Sequence, residues 1–357
     1  MSSKKRTTIH DIAKKLDITA STVSRALKDH PRISDATKEL VIKTAKEMNY
    51  QPNSIAAALR RGTSNLIGVI IPNIDRNFFA SVVRGVEDVL NDTNYNVIIC
   101  QSNDSLEKEK SNIKALLEAQ VDGIFASYAK ETTDFSHFED IVNRGIPLIL
   151  FDRMQDVFNV DAVVIDDYLG AYKATEHLIE QGCERIVHFA GPENVSIYRD
   201  RRRGYEEAMK RSHLSVDEDL IIHSDLKLES GKRLAEEILE WNELPDAIFS
   251  ASDYAAMGAM EVFKKHDIEI PQDIAVVGFS NESFTSLIDP GLTSVDQHSK
   301  KMGQFTANLF LDRLKDKSKD HTPTKTVLNP ELIIRGSSLK KVEQPQDQKI
   351  EPEHINT

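Results

Sequence analysis

The sequence predicts a small all-α helix-turn-helix head followed by an α/β body of two doubly wound parallel-sheet lobes. Three observations carry this expectation. The first 50 residues hold three short capped segments with helical apolar spacing. From Asn65 onward, short apolar runs alternate with amphipathic stretches in two successive sets. Charge is divided the same way: residues 1–64 contain 13 Lys/Arg against 6 Asp/Glu, a surplus of seven, whereas the remainder holds 32 against 51. A basic head on an acidic body is the asymmetry expected where one part meets phosphate and the rest does not.

Length and composition narrow the class. A chain of 357 residues is expected to form two or three units. Its two cysteines, Cys100 and Cys183, lie far apart, which excludes a disulfide scaffold and a cysteine zinc site and fits a reducing cytoplasm. No apolar stretch follows Met-Ser-Ser-Lys-Lys-Arg at the start, and the longest apolar runs are too short to span a bilayer. A cytoplasmic protein without membrane attachment is expected.

In the head, Thr8-Ile9-His10-Asp11 reads as a capping box. Ile9, Ile12, Ala13 and Leu16 follow at i, i+3, i+4, i+7, one helical face. Asp17-Ile18-Thr19 makes a tight turn, and Thr19 caps a second helix running to about Lys28. On that helix Val23, Ala26 and Leu27 face inward, leaving Ala20, Ser21, Thr22 and Arg25 outward. Ser34 caps a third helix with Leu40, Val41, Ala45 and Met48 as its stripe. Two short helices joined by a three-residue turn and closed by a third form a helix-turn-helix, whose second helix enters the DNA major groove. Residues 51–62 then read as a short alanine-rich hinge helix between Pro52 and Gly62, too short to persist alone in water.

The runs Thr8-Ile9-His10-Asp11-Ile12-Ala13, Thr22-Val23-Ser24-Arg25 and Asn49-Tyr50-Gln51-Pro52-Asn53, with Ala56 and Leu59, resemble the lac/galactose/purine repressor family over roughly residues 6–337. One departure is Asp17, where the family commonly has glycine; aspartate tolerates left-handed backbone better than most residues. The resemblance implies that Ala20, Ser21 and Arg25 read bases, with Thr22 beside them, and arginine can grip guanine O6 and N7 in bidentate fashion. It implies that Thr8, Thr19, Ser24 and Asn53 hold phosphates. It also implies that the hinge helices of a homodimer, through Ala56 and Leu59, lie on the minor groove with Leu59 wedged into a base step.

In the body, one set of strands is expected at 66–71, 96–100, 123–126 and 147–151, and a second at 185–189, 247–250 and 274–279. Helices between them include 79–91, 107–119, 170–181, 201–212 and 230–242. Strand–helix alternation implies parallel sheets covered on both faces, with ligands beyond the strand C-terminal ends. The resemblance implies a body like a periplasmic sugar-binding protein, crossed three times near 160–164, 289–293 and 322–326. The lobes are then 63–161 with 292–324, and 162–291 with 325–337. The tail 338–357, rich in Gln, Pro, Glu and Lys, reads as disordered.

Side chains after the strand ends suit a polyhydroxylated effector, whose hydroxyls need paired donors and acceptors. The candidates are Asn73, Phe78, Asp104, Asp152, Arg153, Arg201 (in an Arg-x-x-Gly-aromatic motif), Asp253, Ser280 and Asn281. A second departure lies at Ser280, where the family often has an aspartate; Asn281 could substitute with a different donor–acceptor pattern. No phosphate loop, nucleophile elbow or zinc signature is present, so neither an enzyme nor a cofactor or metal is expected. His177 and His188 read as ordinary helix and strand residues. The expected protein is a dimeric, sequence-specific regulator, by family habit a repressor, acting on a near-palindromic operator under control of a small ligand, a sugar by class. Alternatives are a protein co-regulator in place of the ligand, or a sugar-binding protein that does not touch DNA.

Overall fold

The computed structural model describes residues 7–50, 62–155, 159–315 and 322–340. The chain divides into two compact units, Met1–Asn65 and Leu66–Thr357.

In the first unit, α1 (Ile9–Leu16), α2 (Ala20–Ala26) and α3 (Asp35–Glu47) enclose a core of Ile12, Ala13, Val23, Ala26, Val41 and Ala45. Thr8 and Asp11 form the reciprocal capping box, and Asp17 takes a left-handed conformation at φ 52°. That geometry explains why an aspartate can stand where glycine is usual. Helix α2 ends at Ala26, two residues short of the expected Lys28. Leu40 is not part of the stripe on α3: it is 51% exposed, and Thr44 is buried in its place. Val41, Thr44, Ala45 and Met48 keep the i, i+3, i+4, i+7 spacing, which leaves Leu40 off the face.

The second unit contains two six-stranded sheets. The first has the order β11–β5–β4–β3–β1–β2, built from β1 (Leu66–Ile71), β2 (Asn96–Gln101), β3 (Gly123–Ala126), β4 (Leu148–Phe151), β5 (Asp161–Ile165) and β11 (Lys325–Leu328). All its pairings are parallel. The second has the order β12–β10–β9–β8–β6–β7, from β6 (Ile186–Ala190), β7 (Ile221–His223), β8 (Ala247–Ser250), β9 (Ala275–Phe279), β10 (Thr293–Asp296) and β12 (Glu331–Ile333). Only β12 runs antiparallel there.

The chain therefore changes sheet after Ile165, after Asp296 and after Leu328, later than the expected crossings. Residues 162–165 and 325–328 belong with the first lobe, and 293–296 with the second. Each short strand extends a ladder before the chain leaves it, so the crossing follows the strand. The tail boundary also moves: Ser338 is fully buried and hydrogen-bonds His177 and Thr293. Residues 341–357 lie outside the described residues.

Helices α4 (Asn77–Leu90), α5 (Leu106–Glu118), α6 (Ser136–Asn143), α7 (Asp167–Glu180), α8 (Ser196–Arg211), α9 (Leu228–Leu239), α10 (Asp253–Lys265) and α11 (Ser299–Lys315) connect these strands. The glycine of the Arg-x-x-Gly-aromatic motif has a packing reason. A β-carbon at Gly204 would collide with the Tyr168 carbonyl on α7, so glycine lets α7 and α8 lie close and fixes Arg201 over the sheet edge. His177 and His188 are structural: His188 is fully buried in β6, and its Nδ1–H donates to the Phe249 carbonyl at 3.1 Å. Among the described residues, no helix is long and apolar enough to cross a membrane.

Candidate functional site

Two candidate surfaces follow, one in each unit. In the head, the start of α2 is a knot of hydroxyls. The Thr19 side chain accepts the Thr22 amide at 3.1 Å and meets the Ser21 and Thr22 hydroxyls at 2.8 Å each. Ser21 and Arg25 are exposed, while Thr22 and Ser24 are partly so. Ala20 is half-buried and packs against the head core. Arg25 enters none of the ion pairs found among the described residues. Such an arginine, projecting from a helix pinned at its N-cap, is free to reach a base edge. Thr8 is exposed, but its hydroxyl donates to Asp11 at 2.8 Å, so any phosphate would share it with the capping box. Asn53, Ala56 and Leu59 lie outside the described residues.

In the body, Phe78, Asp152, Arg153, Arg201 and Ser280 line one cavity, between the strand C-terminal ends of the two lobes. Asp152 follows β4, is buried, and accepts the Ser127 hydroxyl at 2.9 Å. Burial pushes its carboxyl up against the pull of Arg153 and Arg201. Arg153 donates to Asp104 at 2.6 Å and to the Tyr128 carbonyl at 2.7 Å. Arg201 donates through Nε to Asp167 at 2.7 Å and through Nη1 to the Ala251 carbonyl at 2.8 Å. Its guanidinium lies 3.7 Å from the Phe279 ring centroid, a stacked cation. Burial pushes Asp167 up to about 7 despite that partner.

Four expected residues do not line the cavity. Asn73 is half-buried elsewhere on the surface. Asp104 stands behind Arg153 as its counter-ion; burial pushes its carboxyl up, but Arg153 and Lys130 outweigh this and hold it low. Asp253 is fully buried, and both its oxygens are taken, by the Ser294 hydroxyl at 2.6 Å and the Glu282 amide at 2.8 Å. Asn281 is turned away, its side chain held by Asp296, Thr285 and Arg335. The substitution expected of Asn281 therefore fails on geometry.

Arg76, Tyr198, Glu282 and Gln297 are among the lining residues that were not foreseen. Tyr198 could have been found, since it precedes Arg201 by three positions and shares its helix face. Glu282 and Gln297 carried no local signal. Each is 3% exposed, and the turn that presents Glu282 depends on contacts distant in sequence. The Gln297 amide donates to Ser280 Oγ at 2.8 Å. Three buried side-chain atoms without hydrogen-bond partners belong to lining residues: Arg153 Nε, Glu282 Oε2 and Gln297 Oε1.

Comparison with known proteins places the chain. Residues 8–53 match the model for bacterial regulatory proteins of the lacI family, and residues 175–338 match that for a periplasmic binding protein-like domain. The chain is 33% identical over 326 residues to a ribose operon repressor of Halalkalibacterium halodurans, covering 90% of this chain and 96% of that one. Among solved structures, the transcriptional regulator CelR–cellobiose complex superposes with a TM-score of 0.70 at 27% identity, over 93% of this chain and all of that one. A lacI-family regulator from Enterococcus faecium with bound ribose gives 0.68 at 26% identity, over 78% of this chain and all of that one. The match over the head sets aside a sugar-binding protein that never touches DNA. A basic three-helix head on two parallel-sheet lobes, matched over nearly its whole length, makes this chain a member of the lacI family of bacterial regulatory proteins, DNA-binding regulators of transcription.

Proposed function

We propose that the body cleft binds a small polyhydroxylated molecule, a sugar by class, and that its occupancy sets the affinity of a homodimer for a near-palindromic operator. The observation carrying this reading is the set of buried cleft atoms without hydrogen-bond partners. One donor, Arg153 Nε, and two acceptors, Glu282 Oε2 and Gln297 Oε1, face a hydroxylated ring well, because a hydroxyl both donates and accepts. Leaving such groups unpaired costs about 1–3 kcal/mol each, and a ligand that satisfies them recovers that cost. Phe78 and Tyr198 supply apolar faces for the ring carbons. The cavity is small, about 40 Å³, so entry requires the lobes to part and binding favours a particular closure. A ribose operon repressor and a regulator in complex with cellobiose are among the similar proteins, which supports the class.

In the head, Ala20, Ser21 and Arg25 are proposed to read bases, with Thr22 beside them, and Thr8, Thr19 and Ser24 to hold phosphates. The ligand moves operator affinity only as far as it binds one body conformation better than the other. The test is calorimetric titration of the full chain with D-ribose, D-xylulose, cellobiose and D-glucose. Saturable binding of one of them, lost in Arg153→Ala, supports the reading. Binding of none removes the sugar as effector.

A further inference from the structure

The turn after β9 is built in an unusual way, and it delivers one side chain. Ser280 and Asn281 both have positive φ, 121° and 50°, a conformation that non-glycine residues hold only when their surroundings enforce it. Here three consecutive amides are tied: Ser280 N–H to the Val295 carbonyl at 2.9 Å, Asn281 N–H to Ser294 Oγ at 2.9 Å, and Glu282 N–H to Asp253. The result aims the Glu282 carboxylate out of the second lobe into the cleft. There it lies within reach of the backbone N–H groups of Asn77 and Phe78, at the start of α4 in the first lobe. Helix α4 has no cap of its own, since Arg76 at the N-cap position makes no side-chain capping bond. The same Arg76 lies over the Tyr254 ring of the second lobe, 4.8 Å from its centroid. One of the Glu282 oxygens, Oε2, is buried without a hydrogen-bond partner, and the residue belongs to the cavity lining.

We propose that Glu282 works at both faces of the cleft, one oxygen fastening the lobes by capping α4 and the other accepting a hydroxyl of the effector. Resting on the cleft reading above, this assigns Glu282 as the carboxylate acceptor that Ser280 does not supply. It also makes one residue a determinant of both specificity and closure. A ligand without a donor at that point leaves Oε2 buried and unpaired, so the contact discriminates among sugars by the presence of a single hydroxyl.

Glutamine separates the two contacts, because it offers one acceptor oxygen where glutamate offers two. The first measurement needs no ligand: amide hydrogen exchange of the full chain, read on a peptide spanning residues 74–80, for wild type, Glu282→Gln and Glu282→Ala. Glu282→Ala should exchange at Asn77 and Phe78 at least tenfold faster than wild type, and unchanged exchange there overturns the latch. The second is calorimetric titration of wild type and Glu282→Gln with D-ribose, D-xylulose, cellobiose and D-glucose, repeated with deoxy forms of whichever sugar binds. Glu282→Gln should either lose the amide protection or bind that sugar at least tenfold more weakly. In the latter case the loss should vanish for the one deoxy sugar that lacks the contacted hydroxyl. A Glu282→Gln protein that keeps both amide protection and sugar affinity contradicts the assignment. If wild type binds none of the four sugars, the effector reading fails and takes the acceptor role with it, while the exchange experiment still decides the latch. A cooperative thermal melt of each variant confirms that its body folds.

Discussion

The carboxylate of Asp253 accepts the backbone amide of Glu282 at 2.8 Å, and this bond joins the start of α10 to the turn that crosses into the cleft. Asp253 thus acts through the loop it holds and has no free oxygen for a ligand. Replacing it by alanine strands a buried amide and the Ser294 hydroxyl. The expected cost is roughly 2–4 kcal/mol of unfolding free energy, measured by urea denaturation. Asp253→Ala should also weaken sugar binding, because Glu282 loses its tether.

The cleft carboxylates set a pH dependence of stability. Burial, with Asp253 adding to it against Arg76, pushes Glu282 up to about 7. Burial pushes Asp253 up to about 6 against Ser294, the Glu282 amide, Arg335 and Arg201. Burial pushes the nearby Tyr254 up as well, and the charge of Glu282 adds to it. A carboxyl whose folded value exceeds its unfolded one binds more protons when folded, so its contribution is full below the unfolded value and lost as pH rises through the folded one. His188, held down to about 3 by burial, works in the opposite sense below its ordinary value. Comparing variants isolates the acid: Glu282→Gln should gain stability relative to wild type between pH 5 and pH 8, by a few degrees in Tm. A pH-independent difference would show that Glu282 titrates normally.

How much of this was legible in the sequence depends on the range of the interactions. The head was readable nearly to the residue, because caps such as Thr8 with Asp11 and Thr19 with Thr22 are local. Its errors, Leu40 and the end of α2, are those of a stripe read one position wide. In the body, both sheets were visible from their central apolar runs. The three crossings were expected a few residues too early, since β5, β10 and β11 are short strands recognised only by the neighbours they pair with. The cleft was half-legible: residues at strand ends or in a motif, such as Asp152 and Arg201, were found. Glu282 and Gln297 are brought to the cavity by a strained turn and a crossing segment that no sequence spacing encodes.

Gly204 should tolerate no side chain. Gly204→Ala places a methyl against the Tyr168 carbonyl and the Ala171 side chain, which should destabilise the body by about 1–3 kcal/mol or more. The shift of α8 should also displace Arg201 and weaken sugar binding. Retention of wild-type stability would mean that α7 and α8 can separate without cost.

In the head, reading and folding should separate cleanly. Arg25 is exposed, so Arg25→Ala should leave the melting temperature within about a degree while costing roughly 1–3 kcal/mol of operator discrimination. Thr19→Ala removes the N-cap of α2 and should cost about 1 kcal/mol of head stability. Affinity measured against selected and scrambled duplexes, with thermal melts alongside, distinguishes the two effects.

The central claim is that a sugar in the cleft controls DNA binding, and fluorescence anisotropy tests it most directly. The full chain is titrated onto a palindromic duplex selected from a random pool, at fixed salt, with and without each of D-ribose, D-xylulose, cellobiose and D-glucose. At least one sugar should shift the operator Kd about fivefold or more, in either direction, as expected of a coupling of ~1–3 kcal/mol, and Arg153→Ala should abolish the shift. Superimposable curves with every sugar, from a protein that binds the duplex tightly, would contradict it.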